Sequence, residues 1–338
     1  SSEPAGEQTT EERTTEPQTN EDGSLVKPKN AVSVSDDVKI KTYSGTSLIE
    51  IGNRVMEPYG NAYKNMKNYA DALNRLKAEM PDTKAYCLMA PTAIEFYAPS
   101  KYNTGVSKSQ YEGMCYIYEQ LKDITPVNAY AEMAAHTDEY LYFRSDHHWT
   151  TLGAYYAYVA YCEQKGLTPV SLEELKENKV EDFYGTFYSK AKRPSQPADT
   201  ITWYDVDVDE FAFVANLQQD KQLAQLGEVV QEDGLELLRV DGMMDQRKFE
   251  VRDKYAAFMW GNSGYVKIKS SHNLNHQEGK TSRLLLFKDS YANSFAPFLL
   301  YNYDEVHIVD LRYLAGSLSQ LISEGGFDEI LLMYNFSN

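Results

Sequence analysis

A chain of 338 residues with 42% hydrophobic content is long enough for one large α/β domain or two modest ones. Its net charge of −17 repels polyanions such as nucleic acid and anionic membrane surfaces, which makes both poor partners. Three cysteines without a CxxC pair exclude a zinc knuckle or a thiol redox motif, and no run of about 18 apolar residues supplies a membrane span.

The charge is uneven along the chain. Residues 1–23 carry seven acids against one base. Residues 1–30 are rich in Ser, Thr, Glu, Gln and Pro and almost free of large apolar side chains, so they bury too little surface to offset their ordering entropy. They are expected to form a disordered acidic leader ahead of a domain spanning 31–338. The leader has the composition of a bacterial export spacer. A lipid-anchored cysteine upstream of Ser1 and an extracellular, cell-surface location are expected on that ground.

From Asn61 to Met80 the apolar residues Met66, Tyr69, Leu73, Leu76 and Met80 recur at spacings of three and four, which predicts a helix ended by Pro81. AYCLMAP (85–91) reads as a short buried strand, and SQYEGMCYIYEQLK (109–122) as a second amphipathic helix. LYFRSDHHW (141–149) begins as a strand and breaks, and TTLGAYYAYVAYCEQKG (150–166) follows as a helix with Gly166 as its C-cap. Residues 170–262 differ, with short β-like pieces (ITWYDVDV, FAFVA, YAAFMW) between turn signals; they are expected to form a mixed insertion or cap. Beyond them, RLLLFK (283–288), EVHIVD (305–310) and EILLMY (329–334) are continuous apolar strands, separated by helices predicted from about Ala292 and over 314–325. Continuous apolar strands alternating with helices predict a doubly wound, mostly parallel sheet.

Four constellations carry chemistry. Ser290, in Lys288-Asp289-Ser290-Tyr291, follows a central strand and opens a helix, where α/β sheets place ligands and where free N–H groups meet an oxyanion. Helix capping by Asp289 or Ser290 is the simpler account of the same residues. Ser145-Asp146-His147-His148-Trp149 places a histidine two residues from an aspartate, a base with an orienting carboxylate. Asp146, His147 and His148 are also a possible ligand set for a divalent ion, but the nearest acidic cluster, Asp205–Glu210, lies downstream and not on an earlier strand, so no metal is assigned. Arg312 after EVHIVD suits an anion or a surface ion pair. Tyr334-Asn335 after EILLMY offers an amide to an oxyanion or merely ends a strand.

The segments FRSDHHWTTLGAYYAY (143–158) and FKDSYANSFAPFL (287–299) closely resemble the DHHW family of Gram-positive bacteria, which is similar to the alginate O-acetyltransferases and to SGNH hydrolase-like proteins. The resemblance covers about residues 35–338. It implies an SGNH-like α/β fold with circularly permuted motif order, because Asp146 and His148 precede Ser290. It also implies a catalytic triad of Ser290, His148 and Asp146, with Asp146-His147-His148-Trp149 matching Asp-x-His-Trp and so favouring His148 as base. Asn335 and Arg312 fall where the oxyanion groups of SGNH enzymes lie, although YNFSN departs from the usual Gly-x-Asn-Asp; Tyr334 belongs to the same candidate substrate set. The activity implied is O-acetylation of a cell-surface or secreted polysaccharide through an acyl-serine, with a membrane-bound O-acyltransferase as acetyl donor and no cofactor. An acetylesterase with the same triad and a non-catalytic glycan-binding module are the competing readings.

Overall fold

The computed structural model describes residues 18–22, 24–107, 109–192 and 196–337. A small antiparallel sheet of β1 (Ile40–Thr42), β2 (Ile49–Ile51) and β3 (Arg54–Met56) comes first. Helix α1 (Tyr63–Ala78), strand β4 (Lys84–Ala90), the short helix α2 (Ala93–Tyr97), α3 (Gln110–Glu119), β5 (Thr125–Val127), α4 (Ala129–Ala134) and α5 (Thr151–Lys165) follow. Strand β6 (Glu177–Phe183), helix α6 (Thr186–Ala191) and strand β7 (Asp199–Tyr204) come next, and the two strands pair as a ribbon. The chain then runs through β8 (Glu210–Phe213), β9 (Gly227–Glu232), β10 (Leu235–Val240), β11 (Tyr265–Lys269), β12 (Arg283–Lys288), α7 (Ala296–Leu299), β13 (Glu305–Val309), α8 (Leu318–Gly325) and β14 (Glu329–Asn335).

One sheet of nine strands, in the order β5-β4-β14-β12-β13-β11-β8-β10-β9, organises the molecule. Strands β5, β4, β14, β12 and β13 are parallel, as their continuous apolar runs require. From β13 onward, β11, β8, β10 and β9 all pair antiparallel. The expectation of a mostly parallel sheet is therefore corrected: the sheet is mixed, half parallel and half antiparallel. The physical reason is local. β9 and β10 are joined by the tight turn Asp233-Gly234, both at positive φ, and such a turn joins only antiparallel neighbours.

In the parallel half, Leu284, Leu285, Leu286 and Phe287 of β12 are all fully buried. Burial of such side chains is worth about 1.5–3 kcal/mol each. Helices cover both faces here. On β4, the Tyr86 ring meets Tyr161 of α5, while the adjacent Cys87 lies near Tyr69 of α1 and Tyr118 of α3. Alternation along a strand sends neighbours to opposite faces, so α5 covers one side and α1 with α3 the other. α3 is capped by Ser109, which accepts from the Glu112 N–H, and α5 by Thr150, ending at Gly166 in the left-handed conformation.

The segment 170–262 divides between two places. β8, β9 and β10 extend the main sheet, whereas β6, α6 and β7 pack beside the Asp-His-His loop. There Phe143, Phe183, Ile201, Tyr255 and Phe258 form a second, small core. Two local expectations are corrected. YAAFMW is a 3₁₀ turn over Lys254–Ala257 followed by Met259 and Trp260 at positive φ, not a strand. LYFRSDHHW holds a single bridge, Tyr142 to Trp149, because its backbone donors turn to side chains elsewhere.

Of the expected leader, residues 1–17 lie outside the described residues. The end of it is part of the fold: Lys27 Nζ lies 2.9 Å from Glu95 Oε1, and Asn30 Nδ2 donates to the Phe96 carbonyl at 2.7 Å. The sequence boundary at residue 30 is thus set too late. Among the described residues no helix is long and apolar enough to cross a membrane.

Candidate active site

Three parallel strands that are neighbours in the sheet, β14, β12 and β13, end at one edge. Ser290 follows β12, Arg312 follows β13 and Asn335 closes β14. A serine placed after β12 begins a 3₁₀ turn, Ser290–Asn293, and the helix expected from about Ala292 starts only at Ala296, as α7, with Pro297 in its first turn. Asp289 caps that turn, accepting from the Tyr291 N–H at 2.9 Å.

The same carboxylate reaches across to β14. Its Oδ2 accepts from the Asn335 backbone N–H at 2.7 Å and from Asn335 Nδ2 at 2.8 Å. Asp289 therefore does cap, as the simpler account holds, and also fixes the side chain of Asn335. An amide NH₂ carries two hydrogens, and Asp289 takes one of them.

The histidine that faces Ser290 comes from the Asp-His-His loop. His148 Nε2 lies 2.7 Å from Ser290 Oγ, and His148 Nδ1 lies 2.6 Å from Asp146 Oδ1. The tautomer that satisfies both contacts carries its proton on Nδ1 and accepts the serine hydroxyl at Nε2. Asp146 also accepts the His148 backbone N–H at 3.0 Å and, on its other oxygen, the Thr186 N–H at the start of α6 at 2.8 Å. Burial alone raises a carboxyl pKa; here the charge and hydrogen bond of His148, then His147 and the Thr186 N–H, outweigh it and hold Asp146 well below the usual carboxylate range. Asp146 thus stays ionised, as an orienting carboxylate requires.

His147 turns away from this line. It is 39% exposed, lies beside His148 with ring centres 3.8 Å apart and planes tilted by 38°, and its pKa is lowered to about 4 by burial and by His148. Asp146, His147 and His148 offer ligand atoms within 4.8 Å of one another. An ion seated there would compete with the existing Asp146–His148 and His148–Ser290 contacts.

Trp149 explains why the motif continues past the histidines. Its indole N–H donates to the Tyr291 carbonyl at 2.9 Å, tying the histidine-bearing loop to the serine-bearing turn. Tyr291 returns the tie by donating its hydroxyl to the His147 carbonyl.

Two contributors escaped the sequence reading. Tyr255 stacks on His148 at 3.8 Å between ring centres and 15° between planes, and its hydroxyl donates to the Ser290 carbonyl at 2.9 Å. Asp199 is 1% exposed and receives the Arg144 N–H at 2.9 Å, the Ser145 N–H at 2.8 Å, the Ser145 hydroxyl and the Tyr140 hydroxyl. It is the anchor of the Asp-His-His loop. Neither carries a sequence signal, since each lies in the irregular 170–262 segment and acts only through its fold.

Ser290, His147, Arg312 and Asn335 line one cleft of about 240 Å³, with apolar walls from Met56, Ile94 and Phe187. Arg312 holds Asp310 through both carboxylate oxygens, at 2.9 and 2.7 Å. Beneath it Lys288, only 3% exposed, lies 3.4 Å from Asp310 and has its pKa lowered to about 8 by burial. Tyr334 does not line the cleft: its ring packs edge-on against Tyr69 of α1, 6.0 Å away, because alternation on β14 sends it opposite to Asn335.

Two solved structures share this fold. A DHHW family protein from Eubacterium siraeum DSM 15702 is 27% identical over 88% of this chain and 93% of its own, with a TM-score of 0.71. PatB1 from Bacillus cereus, in a structure carrying a sulfonyl adduct, is 15% identical over 89% of this chain and 96% of its own, with a TM-score of 0.64. The O-acetyltransferase domain of Pseudomonas putida AlgJ superposes more loosely, with a TM-score of 0.46 and 9% identity over 88% of this chain and 90% of its own. No curated protein matches the chain in sequence. The sequence profile of the family described as DHHW protein matches residues 18–309, which contain the Asp146–Trp149 motif and Ser290. The chain therefore belongs to the DHHW family.

Proposed function

We propose that this protein is a serine-dependent O-acetyltransferase that acts on a cell-surface or secreted polysaccharide through an acyl-serine intermediate. The observation that carries the reading is the unbroken line from Ser290 Oγ through His148 to Asp146, with contacts of 2.7 and 2.6 Å, opening on a cleft. A protein that only bound glycans would have no use for this alignment. The chain order, Asp146 and His148 before Ser290, accords with a permuted SGNH-like core, and the helices on both faces of β4 accord with double winding.

In the first step His148 Nε2 takes the Ser290 proton as Oγ attacks the acetyl carbonyl. The Ser290 N–H and the second amide hydrogen of Asn335 serve the oxyanion, with Arg312 adding positive charge at the rim. The tetrahedral intermediate collapses, the donor oxygen leaves with the proton from His148, and acetyl-Ser290 remains. In the second step His148 takes the proton of a sugar hydroxyl, whose oxygen attacks the ester; Ser290 Oγ departs and recovers the proton. When water enters in place of the sugar the outcome is hydrolysis, so acetylesterase activity arises from the same residues. Tyr334, packed against Tyr69, has no part in these steps.

The acetyl donor, read from the family resemblance, is a membrane-bound O-acyltransferase; the location, read from the composition of residues 1–30, is extracellular with a lipid anchor. The test is intact mass after brief incubation with a small activated acetyl ester. A single acetyl adduct on the wild type and none on Ser290→Ala is expected. Absence of both adduct and turnover on the wild type would falsify the acyl-serine mechanism. A sulfonyl fluoride, which labels activated serines, serves as an independent probe of Ser290.

A further inference from the structure

The catalytic cleft is not a closed pocket. Across Glu57 and Ser337, which line both spaces, it adjoins a second chamber of about 450 Å³ between the start of α1 and the end of β14. The two spaces differ in chemistry. The Ser290 side carries Lys190 and Arg312, whereas among the described residues no lysine or arginine lines the second chamber. Its rim carries amides and a carboxylate, Asn61 and Asn65 with Glu57, and its floor is apolar and aromatic, with the Tyr59 ring set edge-on against Phe336 at 5.1 Å. Asn65 stands exposed in the first turn of α1.

We propose that this chamber is an acceptor subsite that holds a second, uncharged sugar unit next to the one whose hydroxyl attacks acetyl-Ser290. The inference rests on the acyl-transfer reading and extends it to the substrate: a neutral oligosaccharide at least two units long. An aromatic floor under a rim of amides and a carboxylate meets the two faces of a sugar, its C–H surface and its hydroxyl edge. A phosphate or uronate is disfavoured, because Glu57 stands at the junction, no cation among the described residues lines the chamber and the chain as a whole is at −17. The volume of about 450 Å³ lies in the range of small-ligand sites and exceeds what an acetyl group needs.

The test separates binding from chemistry. Calorimetric titration of the Ser290→Ala protein with neutral cello- and chito-oligosaccharides of one to five units reads the chamber without acyl transfer. In at least one series the di- or trisaccharide is expected to bind about tenfold or more tighter than the monosaccharide, the effect of about 1.4 kcal/mol. Asn65→Trp, which fills the chamber from an exposed helical position, is expected to abolish that gain while leaving acetylation of Ser290 by a small ester unchanged. Equal binding of monomer and trimer in both series, or a length gain that survives Asn65→Trp, overturns the subsite. Tighter binding of an oligouronate than of its neutral counterpart overturns the assignment to uncharged sugars. Length-dependent binding that Asn65→Trp removes, in a protein whose wild type forms no acetyl adduct, upholds the subsite and sinks only the acyl-transfer mechanism.

Discussion

At Asp146 burial is opposed by the charge and hydrogen bond of His148, helped by His147 and the Thr186 N–H, and these prevail. A carboxylate held below its ordinary pKa stabilises the fold above that ordinary value, and the contribution is lost as pH falls below it. The stability difference between wild type and Asp146→Asn, read from urea melts, is expected to be largest at pH 5–7 and to shrink below about pH 4. The same variant disturbs the His148 tautomer, so the acetyl-transfer rate should fall on the order of 10³–10⁴-fold. A drop below about tenfold would show that Asp146 does not orient the base. The two histidines should part company in the same assay. His148→Gln removes the base and lowers the rate by a comparable factor, while His147→Gln, whose imidazole faces the cleft and not Ser290, should stay within about tenfold of wild type. The reverse order would reassign the base.

Among the elements, the loop bearing Asp146 and His148 has no ladder of its own and borrows rigidity from its neighbours. Asp199 on β7 gathers its donors, Arg54 donates to the Tyr142 and Phe143 carbonyls, and the start of α6 meets Asp146. Gly185 makes that last approach possible: a Cβ there would come 2.2 Å from Asp146 Cβ and 2.3 Å from Oδ2. Gly185→Ala must therefore displace the carboxylate, and a displacement of about 1 Å is worth about 10²-fold in rate. The expected outcome is a rate loss of that order with an unchanged far-ultraviolet circular dichroism spectrum; full activity would contradict the close packing. Asp199→Ala strands the buried Ser145 N–H, at about 1–3 kcal/mol, and the partly buried Arg144 N–H, so the urea midpoint and the activity should fall together. A variant of unchanged stability would remove Asp199 from its anchoring role.

For the whole molecule, the nine-stranded sheet sets what is reachable. Cys87, Cys115 and Cys162 are all buried and free. Burial raises all three thiols, Cys115 to about 11 and Cys162 to about 12. At pH 8 a thiol reagent should label none of them in the folded protein and all three in urea. Rapid labelling of the native state would mean that the parallel half of the sheet opens easily.

Sequence alone determined the parts whose signal is local. The periodicity of 61–80, the apolar runs of β4, β12, β13 and β14, and the Gly166 cap were legible, because propensity, burial and turn chemistry act within a few residues; the pairing of Ser290 with Asp146 and His148, segments more than 140 positions apart, was implied only by the family resemblance of their two motifs. What only the tertiary structure decided depends on contacts between distant segments. The antiparallel half of the sheet grew from short strands in 210–269 whose partners lie far along the chain. Tyr255 reached His148, and Asp199 reached Arg144 and Ser145, across more than 50 positions from an irregular segment with no periodic pattern. Tyr334 was read as part of the site, but strand alternation turned it to the opposite face from Asn335. The chamber beside Ser290 exists only where α1, β14 and the chain around Glu57 converge, and a cavity between three segments leaves no trace in any one of them.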